Sequence, residues 1–146
     1  TLTAEEWHYI FEGRKNASAL WGVAQVWGVN GLILLPDNWV APEGVFFKPG
    51  FYEEEDVWYF SVHQTFTQTL WLRMEQAGAV FLPASGYRFG AGASNMEYCG
   101  YYWSASADGS NRAVCLYFDS DGKSMDSNYR HYGLSVRLVK DVVNAQ

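Results

Sequence analysis

The chain has 146 residues, of which 49% are hydrophobic and 18% are aromatic, and its formal net charge is −6. This composition excludes a disordered chain, because it supplies enough apolar surface for a core, and the length fits one domain. No run approaches the roughly 18 consecutive apolar residues that a membrane helix needs. No segment carries the basic stripe of a nucleic-acid-binding protein. We therefore expect neither a membrane span nor a nucleic-acid partner.

Two helices are predicted in the first half of the chain. Thr3 and Glu6 have the spacing of a capping box, apolar residues at helical spacing follow, and Gly13 ends the pattern. A second helix is predicted over residues 65–76, whose apolar residues recur with the helical period up to the C′ glycine Gly78.

A β-hairpin is predicted between these helices. The apolar runs 22–27 and 32–35 flank a glycine-rich segment, and its Asn30-Gly31 pair supplies the positive φ angles of a tight turn. Residues 37–60 then lack periodicity, which predicts a long surface loop.

The acidic run Glu53–Asp56 within that loop is interpreted as a solvated face rather than a metal site. A short buried strand is predicted at Ala79–Leu82, closed by Pro83.

The second half contains three β-like islands, at residues 101–103, 114–118 and 134–139. Apolar residues alternate in the last two, as a half-buried strand requires. The segments between them are interpreted as turns, and residues 142–146 as a tail. Together these elements predict an α+β domain over residues 1–141, with two helices and a twisted antiparallel sheet with long loops.

No catalytic residue, metal ligand or cofactor site is predicted. The three histidines lack the spacing of a metal site. Asp119–Gly122 is rich in oxygen ligands but lacks the length of an EF-hand, so an Asx-type turn between two strands is favoured. Cys99 and Cys115 could form one disulfide or remain two partly buried thiols, and both alternatives stay open.

Residues 91–133 interleave tyrosine with Ser, Asn, Asp and Gly, a mixture typical of binding loops. Some of these tyrosines must also belong to the core, and strand alternation divides the two roles. If Val114, Leu116 and Phe118 face the core, then Cys115 and Tyr117 face outward. The predicted ligand-binding residues are Tyr98, Cys99, Tyr101, Asp108, Ser110, Asn111, Cys115, Tyr117, Asp119, Asp121, Asn128, Tyr129 and His131.

Long strings of this sequence resemble a bacterial surface-protein family. With x for a position that does not enter the match, they are LTxxEW at 2–7, NASxLWGV at 16–23, GVNGLILLPDNW at 28–39, MExAGAVFLPAxGYR at 74–88, GYYWS at 100–104 and YGxSVRLV at 132–139. Together they resemble the Fibrobacter major paralogous domain and its gut-bacterial and phage relatives. The resemblance covers the chain from Leu2 to about Asp141.

This resemblance implies a C-type-lectin-like fold of the formylglycine-generating-enzyme subtype. It also implies a ligand-display module on a bacterial surface or phage virion, whose partner is a protein or glycan receptor on a cell surface. Some relatives are variable proteins of diversity-generating retroelements, in which adenines of a template are randomised. Residues 98–132 are dominated by residues that a mutated Asn codon can encode. Ordinary binding-loop composition explains the same bias, so both explanations stay open.

Three departures from the relatives carry expectations of their own. We expect the upstream strand of the fold to be missing from this chain, in which case Leu134–Val139 should lie exposed at an edge or pair with an N-terminal fragment or a second chain. The calcium-binding signatures of sugar-binding C-type lectins are absent. The closely spaced cysteine pair of the enzyme subtype is also absent, so we expect the protein not to be an enzyme. A formylglycine-generating type of enzyme and a structural fimbrial tip domain remain the alternatives.

Overall fold

The computed structural model describes residues 1–52 and 60–141, and over this part of the chain it confirms an α+β architecture. The helices are α1 (Ala4–His8), α2 (Phe60–His63) and α3 (Gln68–Gln76). The strands are β1 (Trp21–Val26), β2 (Val29–Leu34), β3 (Thr65–Phe66), β4 (Val80–Pro83), β5 (Tyr87–Phe89), β6 (Gly92–Ser94), β7 (Cys99–Asp108), β8 (Arg112–Asp119) and β9 (Lys123–Tyr129). The acidic run 53–56 and the tail 142–146 lie outside the described residues.

The strands form three sheets. The first has the order β3-β1-β2-β4, the second pairs β5 with β6, and the third has the order β7-β8-β9. All pairs are antiparallel except β1 with β3. No helix of the described residues is long and apolar enough to cross a membrane.

The first sheet is covered on both faces, which divides the core into two parts. One face packs with α1 and the third sheet, through Trp7, Leu32 and Phe118 among others. The other face packs with α3, through Ile33 and Met74. One face of the third sheet therefore packs in the core, and only the side chains on its other face point away from the core.

The N-terminal helix follows the prediction. The Thr3 hydroxyl accepts a hydrogen bond from the Glu6 N–H, and the Glu6 carboxylate accepts one from the Thr3 N–H, so the capping box is confirmed. The helix continues as a π-helical segment, Tyr9–Gly13. It buries Trp7 and Phe11 against the two larger sheets.

The hairpin exists, but the predicted position of its turn is wrong. Trp27 and Gly28 form the turn with φ angles of 47° and 78°, the signs that a type I′ turn requires. Asn30 and Gly31 lie inside β2 instead. A Cβ at Gly31 would lie 2.4 Å from the backbone oxygen of Leu82, so this glycine permits the close pairing of β2 with β4.

The second helix begins later than predicted. Residues 65–66 form β3, because Phe66 is buried beside Val26 in the parallel pairing with β1. Thr67 caps α3 by accepting a hydrogen bond from the Leu70 N–H. Gly78, with a φ of 99°, follows the C-cap as expected for a C′ glycine. The described part of the predicted loop, residues 37–52, contains no helix and only an isolated bridge at its end.

The interpretation of residues 123–129 as part of a turn segment is wrong, because they form β9, which pairs with β8 along its whole length. Its sequence, KSMDSNY, has too few apolar residues to predict a strand from alternation.

The strand predicted at residues 134–139 does not form. Only Ser135 bridges to the third sheet, through the Trp103 N–H and the Tyr101 carbonyl, both at 2.9 Å. Leu138 is 81% exposed, and Val136 and Val139 are about half exposed. The segment therefore lies at the exposed edge of β7, as expected. Its pairing with another chain stays a prediction.

Candidate functional site

The face of the third sheet that points away from the core is the candidate site. Tyr101 pairs with Tyr117 across β7 and β8, and the next pair is Tyr102 with Leu116. Since side chains alternate along a strand, the two pairs point to opposite faces. Tyr102 and Leu116 are buried in the core, as is Phe118. We call the opposite side the outer face; its residues are Cys99, Tyr101, Trp103, Cys115, Tyr117, Asp119, Ser124, Asp126 and Asn128.

Aromatic rings form a continuous row that begins on this face with Tyr117 and Tyr101 and continues beyond it through Tyr87; we call this row the aromatic strip. Its members are Tyr117, Tyr101, Tyr87, Tyr132, His131 and Tyr129. Ring centroids of successive members are 4.9 to 6.0 Å apart. At the far end, the Arg112 guanidinium lies 4.5 Å from the centre of the Tyr129 ring. Mutual packing holds the rings in place, so the strip is a preformed surface.

Two clefts open along the strip and share Asn95. The tyrosine cleft encloses about 180 Å³ and is lined by Tyr87, Asn95, Tyr101, Asn128, Tyr132 and Leu134. The acidic cleft encloses about 350 Å³ and is lined by Asn95, Tyr98, Cys99, Tyr117 and Asp119. Aromatic walls with a few convergent amide and carboxylate groups are typical of ligand sites.

The loop between β6 and β7 positions Asn95. Asn95 and Glu97 have φ angles of 55° and 71°, in the left-handed region that side chains disfavour. Three contacts hold this backbone. The Glu97 N–H donates to the Ala84 carbonyl, the Asn30 amide donates to the Glu97 carbonyl, and the Cys99 N–H donates to the Asn95 carbonyl. Strained backbone fixed in this way is common at binding sites.

The floor of the acidic cleft carries a fixed negative charge. The Tyr117 hydroxyl donates to the Asp119 carboxylate at 2.7 Å, and the Asp121 N–H donates to the same carboxylate at 3.0 Å. The second bond confirms the Asx-type turn. Burial acts to raise the pKa of Asp119, but the hydrogen bonds from Asp121 and Tyr117 outweigh it and leave that pKa below its usual value.

The pKa values of the neighbouring Asp121 and Tyr117 side chains are raised instead. The hydrogen bond to Asp119 raises the pKa of Asp121. Burial and the Asp119 carboxylate both raise the pKa of Tyr117. In the part of the chain that is described, no three His, Cys, Asp or Glu side chains are grouped so that they could hold a metal ion.

The predicted site residues separate into groups. The predicted residues that line the two clefts are Tyr98, Cys99, Tyr101, Tyr117, Asp119 and Asn128. A second set extends the site in both directions without lining a cleft. It consists of Tyr129 and His131 in the strip, the exposed Asp108, Ser110 and Asn111 at the β7–β8 turn, and Asp121 at the β8–β9 turn.

The predicted outward exposure of the two cysteines is wrong, although Cys99 still lines the acidic cleft. Cys99 is 3% exposed and Cys115 is fully buried. For Cys115 the reason is β9, which the sequence did not predict, whereas the Cys99 sulfur lies against the Asn95 carbonyl at 3.8 Å. It makes β8 a central strand, and the Asn128 amide covers the Cys115 sulfur at 3.3 Å. Both thiols are free. Cys115 pairs with Trp103, four residues along β7 from Cys99, so the ladder places them about 13 Å apart and prevents a disulfide.

Slow thiol modification is the expected consequence. Burial raises the pKa of Cys99 to about 11 and also raises the pKa of Cys115. At about pH 8 the reactive thiolate is therefore scarce, and we expect the native protein to react with Ellman's reagent at least about 100-fold more slowly than the unfolded chain. Once guanidinium chloride unfolds the protein, both thiols should react rapidly with the reagent. Rapid reaction of either thiol in the native protein would contradict the buried placement and revive the enzyme alternative.

The sequence reasoning missed four residues that line the tyrosine cleft: Tyr87, Asn95, Tyr132 and Leu134. Tyr132 lay within the tyrosine-rich segment, and its composition was the signal that could have included it. Tyr87 precedes that segment, and Asn95 acts through a loop conformation that a linear pattern does not reveal. Their roles depend on β5 and the following loop lying beside β7, a long-range arrangement.

The fold and the site together define a small α+β domain with a tyrosine-lined cleft on the free face of a three-stranded sheet. The sequence model of the family described as Domain of unknown function (DUF8237) matches residues 56–139, and the chain belongs to this family. The matched region includes β7, β8 and β9, and hence the outer face. No curated protein and no solved structure matches the chain.

Proposed function

We propose that the protein is a ligand-binding module and that the outer face of the third sheet is its binding surface. The observation that carries this proposal is the division of that sheet: its inward side chains complete the core, while its outward tyrosines border two open clefts. Tyrosine offers large contact area at low entropic cost, and asparagine offers adaptable hydrogen bonds. A rigid scaffold with such a surface is suited to binding.

The chemistry of the clefts favours binding over catalysis. A nucleophilic cysteine requires a lowered pKa, whereas burial raises the pKa of both thiols here. Tyr117 and Asp119 satisfy each other by a hydrogen bond, and the pKa of the Tyr117 hydroxyl is raised. We therefore propose that the protein is not an enzyme.

The proposal extends to fold family and setting through the resemblance of the sequence strings. A C-type-lectin-like fold would place the ligand surface in the second half of the chain, where the two clefts lie. In that setting the domain is displayed outside the cell, on a bacterial surface or phage virion, and its partner is a protein or glycan receptor on a cell surface. The outward residues of 98–132 are then the positions at which diversification would be tolerated.

Alanine substitutions on the outer face test the proposal. Labelled wild-type domain is applied to a probe panel that consists of a printed glycan array and fixed bacterial cells. We expect Tyr101→Ala and Tyr117→Ala to weaken retention on the probes that hold the wild type by tenfold or more, because each removes a ring that borders a cleft.

The matched control is Tyr9→Ala, which removes a tyrosine that is 54% exposed on the π-helical segment after α1. The control should bind as the wild type does. Retention that is unchanged in both outer-face variants, or lost equally in the control, would contradict the proposed surface.

A further inference from the structure

The walls of the tyrosine cleft stand at right angles to one another. The Tyr87 ring is inclined by 82° to the Tyr101 ring and by 84° to the Tyr132 ring, with centroids 5.5 and 6.0 Å apart. Neighbouring walls of the cleft therefore present a ring face beside a ring edge. Ring faces are electron-rich and ring edges are electron-poor, so the exposed ring faces at such a corner attract a positively charged group within about 6 Å of a ring centre.

The charged side chains on the outer face of the third sheet, Asp119 and Asp126, are both acidic. Asp126 lies on the outer face beside Cys115, and Asp119 lies on the floor of the adjoining acidic cleft. The residues that line the two clefts include no Lys, Arg or His. The lysine of β9, Lys123, is on the inward face, where it pairs with Glu12 at 3.0 Å.

The pKa of Tyr101 is raised in this cleft. Burial, with smaller contributions from acidic neighbours that include Asp126, raises the pKa of Tyr101 to about 12. The hydroxyl therefore stays neutral at physiological pH, and the ring and its hydroxyl remain available as a cation–π wall and a hydrogen-bonding group.

The aromatic strip already holds one cation. The Arg112 guanidinium lies over the Tyr129 ring, and its donors are bound by the hydroxyl and the carbonyl of Ser127. Asp108 accepts a hydrogen bond from that same hydroxyl. This is the arrangement of an arginine on a tyrosine face with a carboxylate behind it. The tyrosine cleft offers the same components, with no cation of the described chain among its lining residues.

We propose that the tyrosine cleft receives the guanidinium or ammonium group of an arginine or lysine side chain from a protein partner. The inference rests on the proposed function and names the chemistry of the group that is bound. The rings of Tyr87, Tyr101 and Tyr132 supply the cation–π contacts, and Asp126 supplies the opposite charge nearby. A protein partner is favoured over a neutral glycan, because only a cationic group gains from this charge complementarity.

The test uses the isotope-labelled domain and a matched pair of small probes, N-acetyl-argininamide and N-acetyl-citrullinamide. The two have almost the same shape and differ in charge. We expect argininamide to shift the amide resonances of Tyr87, Tyr101, Asn128 and Tyr132 in NMR spectra. Its affinity should exceed that of citrullinamide at least about fivefold and should fall as salt is added. Equal affinity of the two probes, or no shift by argininamide, would overturn the inference.

Substitutions test whether the Asp126 carboxylate is the charge that attracts argininamide. Asp126→Asn should weaken argininamide binding at least about threefold, and Tyr101→Leu, which removes a ring of the cleft, should also weaken it. Glu75→Gln removes an exposed carboxylate from α3 and serves as the control that leaves binding unchanged. An unchanged affinity in Asp126→Asn would overturn the assigned role of that carboxylate.

A third probe separates this inference from the function on which it rests. If methyl glycosides shift the cleft resonances and argininamide does not, the outer face binds a ligand but the cationic occupant is wrong. If Tyr101→Ala and Tyr117→Ala also leave retention on the probe panel unchanged, the proposed function itself fails.

Discussion

Replacing Phe118 by alanine should lower the free energy of unfolding by about 3–5 kcal/mol, whereas Tyr117→Ala should lower it by no more than about 1.5 kcal/mol. The two residues are neighbours on β8, but they point to opposite faces. Phe118 is fully buried and packs with Phe60 and Tyr102. Tyr117 is only partly buried, and its ring contacts Tyr101 on the outer face.

Urea unfolding followed by tryptophan fluorescence measures both values, with unchanged slopes as the condition for comparing midpoints. Phe118→Leu provides an intermediate control, because it keeps most of the buried volume. A loss of more than about 3 kcal/mol in Tyr117→Ala would make this tyrosine a core residue. It would then be unable to serve as a freely varying contact.

Arg14→Ala should destabilise the fold by about 3 kcal/mol, although arginine is usually a surface residue. Its side chain is 7% exposed and donates hydrogen bonds to three backbone carbonyls. It donates to those of Ile10 and Leu35, both at 2.7 Å, and to that of Leu20 at 3.1 Å. Removing the guanidinium takes one donor from each of these carbonyls at the junction of the N-terminal helical segment with β1 and β2, although the Leu20 carbonyl keeps the Leu35 N–H.

Two further variants isolate the cause. Arg14→Lys should recover little of the loss, since an ammonium cannot reproduce the planar fork that reaches three acceptors. Asp37→Ala should cost less than about 1 kcal/mol, because its ion pair with Arg14 involves a carboxylate side chain that is 69% exposed. Equal losses in Arg14→Ala and Asp37→Ala, measured by urea unfolding, would assign the effect to the ion pair instead.

Local signals in the sequence predicted the parts of the fold that depend on neighbouring residues. The capping box at Thr3 and the C′ glycine Gly78 were readable, because each acts within one helical turn. Alternation on β8 correctly placed Leu116 and Phe118 inward and Tyr117 outward.

The remaining features depend on long-range pairing. β9 carries mostly polar residues, because one of its faces is solvated and it lies at a sheet edge, so its sequence resembles a loop. Missing this strand led directly to the wrong exposure of Cys115. The tyrosine cleft likewise requires Tyr87 and Tyr132 to meet across Arg88 and Gly133, whose backbones pair through an isolated bridge. Composition alone does not contain that contact.

The division of the third sheet into a core face and a binding face is most directly tested by one saturation scan with two readouts. Every position of β7, β8 and β9 is varied in the displayed domain, and each variant is measured for folded display level and for retention on the strongest probe of the panel. Substitutions at Tyr102, Leu116 and Phe118 should lower display, whereas those at Tyr101, Tyr117 and Asn128 should keep display and lower retention. Retention that depends on the inward residues in well-displayed variants, and not on the outward ones, would contradict the binding face.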